Sequence, residues 1–144
     1  MVPRDKAINF MTIDFDKYSV FVDAVTSDSS KDFVALADRM GELDRQGACI
    51  ERLTTAGIGL AAESGEFLEI VKKMVFQGKP WNDDNREHLI IELGDVMWYV
   101  ANACIALGVD FDDVVKGNVK KLEKRYPGGS FSVEKSEVRA KGDR

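Results

Sequence analysis

Apolar residues recur every three or four positions along most of the chain, which is the spacing of one face of a helix. Polar, glycine and proline residues interrupt the pattern, so that helices are predicted at about residues 14–25, 31–40, 50–76, 83–107 and 111–126. Asn82 and Asp110 are suited to cap the last two helices, and Gly108 is a natural stop between them. No segment shows the alternation of a strand. The chain is therefore predicted to be all-α, an antiparallel four-helix-type bundle of four to five helices.

The same pattern predicts how the 144 residues are organised. We expect a flexible N-terminal extension over residues 1–12, one helical domain over residues 13–129, and a polar tail over residues 130–144. No run approaches the roughly 18 apolar residues that a membrane-spanning helix needs. The N-terminus also lacks the apolar core of a secretory signal. We therefore expect a cytoplasmic protein with no membrane partner.

Composition narrows the classes of function. The net charge is −5 and the pI is about 5.0, which argues against binding a nucleic-acid polymer. An acidic protein can still meet a phosphate substrate through bound cations. Cys49 and Cys104 have neither the number nor the spacing of a disulfide framework or a zinc site, and we expect free thiols.

Two helices carry paired carboxylates inside apolar sequence. Glu63-x-x-Glu66 lies on the third predicted helix and Glu92-x-x-Asp95 on the fourth. Residues three apart share one face of a helix, so each helix presents two carboxylates side by side. The fourth helix is apolar nearly all round and is expected to be largely buried, with Trp98 in the core. Solvated acidic stripes or salt bridges are the alternative interpretation, but two such pairs in apolar sequence favour a metal site.

The chemistry of the predicted ligands selects the metal. Hard cations with oxygen ligands relieve the repulsion among four carboxylates, and Mg²⁺ suits this set, with Mn²⁺ as a substitute. A di-iron bundle site normally needs Glu-x-x-His pairs, which this chain lacks. Its one histidine, His88, is assigned no role. Each motif also holds a glycine, Gly65 or Gly94, for which close approach of the helices is one explanation.

These residues resemble the signature of the MazG-like, all-α nucleoside triphosphate pyrophosphohydrolases. The match includes the text around both acidic pairs, from Gly59 to Glu66 and from Glu92 to Tyr99. It also includes a basic block, Asn118-x-x-Lys121-Leu122-x-x-Arg125-Tyr126-Pro127. The resemblance covers about residues 58–131, whereas the sequence before about residue 56 matches nothing that we can name.

The resemblance implies Mg²⁺-dependent hydrolysis between the α- and β-phosphates, giving a nucleoside monophosphate and pyrophosphate. It implies a metal site made of Glu63, Glu66, Glu92 and Asp95. One carboxylate would orient or deprotonate the attacking water, and Glu66 is our choice, although the residues alone do not separate it from the other three. Candidate substrate-binding residues are Lys73, Tyr99, Asn118, Lys121 and Arg125.

Several alternatives stay open at this level. Lys73 could reach the phosphates or neutralise Glu69, and Tyr99 could contact the sugar or pack in the core. A solvated basic stripe is the alternative for the basic block. A non-catalytic helical interaction module or an alarmone hydrolase competes with an enzyme that acts on nucleoside or deoxynucleoside triphosphates. The family also implies a homodimer or homotetramer.

Overall fold

The computed structural model describes residues 13–138 and confirms the all-α prediction. Within that range there are six α-helices, a short 3₁₀ helix at Asp28–Ser30, and no strand. The predicted extension over residues 1–12 and the last six residues of the predicted tail lie outside the described part of the chain. The α-helices are α1 (Phe15–Val25), α2 (Phe33–Arg45), α3 (Ile50–Phe76), α4 (Asp83–Leu107), α5 (Phe111–Arg125) and α6 (Val133–Glu137).

The helix ends follow the local signals in the sequence. The Asp14 carboxylate accepts a hydrogen bond from the Lys17 backbone N–H at 3.1 Å, and the Asn82 side chain accepts one from the Asn85 N–H at 2.9 Å. Gly108 ends α4 in the left-handed region, with φ at 64°. Asp110 occupies the N-cap position of α5 without a side-chain capping bond.

Two helical features differ from the sequence prediction. α2 continues five residues beyond its predicted end, through Gly41 to Arg45. The predicted tail contains a turn and a half of helix, α6, whose start is capped by Ser132 through a 3.4 Å bond from the Lys135 N–H. A glycine in an exposed helix costs only about 1 kcal/mol, so a helix can continue through it.

The chain divides into two compact units between Arg45 and Gln46. In the first, α2 packs against the 3₁₀ helix that precedes it. The Lys31 ammonium donates to the Asp23 carbonyl at 2.9 Å and lies 3.7 Å from its carboxylate. These contacts connect the end of α1 to the turn before α2. The unit holds no fully buried side chain among its described residues.

In the second unit, α3 and α4 form an antiparallel helical hairpin. Arg52, near the start of α3, donates to the Asn102 side chain near the end of α4 at 2.8 Å. The Asn102 amide in turn donates to the Trp98 carbonyl at 3.1 Å. Further along, Gly59 lies against Tyr99. Residues later in α3 therefore face residues earlier in α4, as in any antiparallel pair. This pairing brings the two acidic motifs to the same level of the hairpin.

The prediction that α4 is largely buried is wrong for the described single chain. Trp98, expected in the core, is 57% exposed. The buried apolar residues of the described chain are few: Ala56, Ile70 and Cys104. A helix that is apolar on all sides needs cover on all sides, and α3 covers only one.

The exposed apolar surface of α4 also changes the membrane prediction. Within the described residues, α4 is long and apolar enough to cross a membrane, by length and composition alone. Only 11% of its most apolar window is buried in the chain. The core helix of a soluble protein can meet the same criterion, so this is weak evidence for a membrane span. The sequence prediction differed because it required an uninterrupted apolar run, whereas α4 is long and apolar enough on average despite its two carboxylates.

Candidate metal site between α3 and α4

Three of the four predicted metal ligands converge between α3 and α4. Glu63 on α3 and Glu92 and Asp95 on α4 each offer one carboxylate oxygen, and these oxygens all lie within 4.8 Å of one another. The antiparallel hairpin places Glu63 opposite the α4 motif, while the three-residue spacing puts Glu92 and Asp95 on one face. Three oxygen donors at this separation can surround one hard cation.

The three carboxylates differ in their exposure to water. Glu92 is buried, with 6% of its surface accessible, whereas Glu63 is half-buried and Asp95 is exposed. The site is therefore closed on the side of Glu92 and open at Asp95. A phosphate group could approach a cation from the open side without displacing a helix.

Repulsion and desolvation act together on Glu63. Partial removal from water raises the pKa of this carboxyl above its ordinary value of 4.5, and the neighbouring Glu66, Asp95 and Glu92 raise it further. Within the described residues, the charged groups that shift this pKa are all carboxylates. Such an excess of negative charge fits a divalent cation, which would stabilise the ionised form of each ligand.

Glu66, our choice for the water-activating carboxylate, lies outside the group of three. It is exposed, and its oxygens are not within the 4.8 Å group. Even so, it is the first of the three carboxylates that raise the pKa of Glu63 by charge. The structure therefore places Glu66 next to the cluster without making it equivalent to the other three.

Close approach of the helices does not explain Gly65 and Gly94, contrary to the explanation offered from the sequence. A Cβ at Gly65 or Gly94 would meet nothing within 4 Å, so neither glycine marks a close approach in the described chain. The close approach occurs instead at Gly59, one turn before Glu63, where a Cβ would lie 2.0 Å from the Tyr99 ring. Tyr99 is half-buried there and meets Trp98 edge-on, with ring centroids 4.8 Å apart.

Lys73 and the basic block have separate surroundings. The Lys73 ammonium lies 3.2 Å from the Glu69 carboxylate, which lowers the pKa of that carboxyl, and Lys72 is 3.9 Å from the same oxygen. On α5, Asn118 and Lys121 are exposed and Arg125 is half-buried. These three side chains share one face by spacing, and α5 belongs to the same compact unit as the carboxylates.

Sequence reasoning missed one contact of the site. The His88 Nε2 atom lies 2.9 Å from Oε1 of Glu92, one helical turn further along α4. The four-residue spacing could have revealed this pair, because residues at i and i+4 meet on a helix surface. His88 lies outside the acidic motif, so the motif alone does not indicate it.

Comparisons with known proteins identify the family of the chain. The model of the MazG nucleotide pyrophosphohydrolase domain family matches residues 52–130, which include both acidic pairs and the basic block. A relative described as Gene 37 protein, from Mycobacterium phage L5, is 40% identical over 82 residues, covering 56% of this chain and 71% of the relative. No solved structure matches the chain. Since the family model covers more than half of the sequence, the chain belongs to the MazG nucleotide pyrophosphohydrolase domain family.

Proposed function

We propose that this protein hydrolyses deoxynucleoside or nucleoside triphosphates between the α- and β-phosphates in a Mg²⁺-dependent reaction. The observation that carries the proposal is the convergence of three carboxylate oxygens within 4.8 Å, in a chain of the MazG family. A family member without this convergence would lack the ligands for a cation. The products would be a nucleoside monophosphate and pyrophosphate.

Glu63, Glu92 and Asp95 would hold the cation, with Glu66 as the fourth candidate ligand at the exposed edge. Mg²⁺ prefers carboxylate oxygens together with phosphate oxygens, and Mn²⁺ accepts the same donors. When bound, the ion would neutralise phosphate charge and lower the pKa of a coordinated water. Asp95 and Glu66 are both exposed, so a phosphate would approach the ion past these two side chains.

Glu66 would accept the proton of the attacking water. The water oxygen then forms a bond to the α-phosphorus, and the bond from that phosphorus to the bridging oxygen breaks. The electron pair leaves with the bridging oxygen on pyrophosphate. A carboxylate beside the three ligands, but outside their tight group, is suited to this role because the cation holds it less closely than it holds them.

The remaining candidates would bind the substrate. Asn118, Lys121 and Arg125 offer an amide and two cations on one face of α5, a set that suits phosphate oxygens. Tyr99 lies one turn beyond Asp95 on the same face of α4, and this position supports a contact with the sugar. Its packing against Gly59 would hold the ring in place. Lys73 is the weakest candidate, because its pairing with Glu69 already accounts for its position.

Pyrophosphate release from a panel of nucleotides, with Mg²⁺ and with chelator, tests the proposal. The panel contains the deoxynucleoside and nucleoside triphosphates and a guanosine alarmone, and the Glu92→Gln protein serves as the control for contaminating hydrolases. We expect Mg²⁺-dependent release from triphosphates by the unmodified protein alone. Release only from the alarmone would change the substrate class. No release from any nucleotide would favour a non-catalytic interaction module.

We also propose that the protein is a cytoplasmic homodimer or homotetramer. The large apolar side chains exposed on α4 support this, since a second copy could cover them. Lipid is a poorer cover, because Glu92 and Asp95 lie near the middle of that helix and charges at the bilayer centre are costly. Light scattering should show a species larger than 16.0 kDa, and a monomer at working concentration would contradict the proposal.

A further inference from the structure

The contact between His88 and Glu92 is not explained by the acidic motif. His88 is the only histidine of the chain, and its Nε2 lies 2.9 Å from Oε1 of the most buried carboxylate of the site. Both residues are on α4, four positions apart, so the helix itself fixes their separation. The contact therefore forms without help from any other element.

The separation of the two atoms is that of a hydrogen bond. An imidazole N–H donates and a carboxylate oxygen accepts, so a bond at this distance would run from Nε2 of His88 to Oε1 of Glu92. Among the described residues, His88 is absent from the group whose ligand atoms lie within 4.8 Å of one another. His88 therefore lies outside the group of candidate ligands and beside one of its members.

The burial of the two partners shows which of them needs the bond. The Glu92 side chain is 7% exposed, and a buried carboxylate without a partner is costly. The His88 side chain is 49% exposed, so its removal leaves little cavity. The hydrogen bond therefore serves the carboxylate more than it serves the packing of the imidazole.

We propose that His88 is a positioning residue of the metal site, holding Oε1 of Glu92 so that the other carboxylate oxygen is presented to the cation. Groups that hydrogen-bond a ligating carboxylate fix its orientation, and their loss typically weakens metal binding about 10- to 100-fold. The inference rests on the proposed function, because it assigns His88 to the cation site described there.

Binding of Mn²⁺ alone, followed by electron paramagnetic resonance without nucleotide, tests the proposal on the full chain. We expect His88→Ala to weaken Mn²⁺ binding about 10- to 100-fold while circular dichroism keeps its helical signal. His88→Gln places an amide N–H near the position of Nε2, and we expect it to recover most of the affinity. Glu87→Gln, an exposed substitution on the same turn, is the matched control and should bind Mn²⁺ like the unmodified protein.

The outcomes distinguish a failure of the role proposed for His88 from a failure of the proposed function. Unmodified protein that fails to bind Mn²⁺ would overturn both. Normal Mn²⁺ binding by the unmodified protein and equally by His88→Ala would overturn only the role of His88. That role would also be overturned if His88→Gln binds as weakly as His88→Ala, because the donated hydrogen bond would then not matter. A pulsed spectrum that shows imidazole nitrogen bound directly to Mn²⁺ would make His88 a ligand and also overturn the proposal.

Discussion

The two acidic pairs have the same three-residue spacing but different surroundings. On α4, Glu92 is buried and lies 2.9 Å from the His88 imidazole, while Asp95 is exposed and still belongs to the tight carboxylate group. On α3, Glu63 joins that group under repulsion from its neighbours, and Glu66 stays outside it. Equal spacing therefore does not make the four carboxylates equivalent. Both members of the α4 pair are suited to hold a cation. In the α3 pair, Glu63 is suited to hold the cation and Glu66 to accept a proton.

The largest effect is expected from Glu92→Gln, which removes the anchoring charge and keeps the size of the side chain. Both Mn²⁺ binding and turnover should be lost. A ligand contribution of several kcal/mol corresponds to a decrease of about a thousandfold in kcat/KM. Pyrophosphate release and Mn²⁺ titration measure the two losses, with helicity checked by circular dichroism. Turnover near that of the unmodified protein would remove Glu92 from the site.

A smaller and more selective effect is expected within the α3 pair. Glu66→Gln should lower kcat by about a hundredfold or more, since it removes the proton acceptor, yet it should weaken Mn²⁺ binding less than Glu63→Gln does. The measurements are kcat, KM and Mn²⁺ affinity for both variants. If the two substitutions weaken Mn²⁺ binding equally, Glu66 is a ligand of the same standing as Glu63. The distinction between the members of the pair would then be wrong.

The glycines of α3 provide a test of the hairpin geometry itself. Gly59→Ala forces a methyl group into the Tyr99 ring and should lower the free energy of unfolding by about 1–3 kcal/mol. Gly65→Ala meets open space and should raise it by up to about 1 kcal/mol, because alanine favours helix. Urea unfolding at one chain concentration compares them. A Gly59→Ala protein as stable as Gly65→Ala would contradict the close contact.

The smallest effect concerns the pH dependence of stability without metal. Because the pKa of Glu63 is raised above 4.5 in the folded state, the folded chain holds that proton more tightly than the unfolded chain does. This contribution to stability is present below pH 4.5 and is lost as pH rises through the folded pKa. Urea midpoints should be measured in chelator from below pH 4.5 to above the folded pKa of Glu63. We expect them to fall less with rising pH in Glu63→Gln than in the unmodified protein. Identical slopes would show that the pKa of Glu63 is not raised in the folded chain.

Much of the fold could be predicted from the sequence because its signals are local. The limits of α3 and the cap of α4 at Asn82 follow from apolar spacing and from residues that satisfy the first backbone N–H groups. α6 was missed because five residues are too few to show a period. The burial of α4 was predicted wrongly. Apolar spacing shows which helix surface should be buried, but it does not show whether other helices of the same chain bury it.

The candidate site could be predicted in part for the same reason. Spacing along one helix places Glu92 beside Asp95, and it could also have placed His88 beside Glu92. The separation of Glu66 from Glu63 could not be predicted, because it depends on how α3 and α4 sit against each other. The closest approach of the two helices, at Gly59 and not at Gly65, depends on the same packing.

The sequence by itself determined the helices, their caps and the faces on which the carboxylates lie, since each depends on interactions within a few residues of the backbone. Tertiary structure alone decided which carboxylates meet and which one is buried. It also decided that Tyr99 packs where only a glycine, Gly59, leaves room for its ring. Those outcomes depend on the register of α3 against α4, which Arg52 and Asn102 help to fix. The register depends on how the surfaces of both helices pack together, so it cannot be read from the residue spacing of either helix alone.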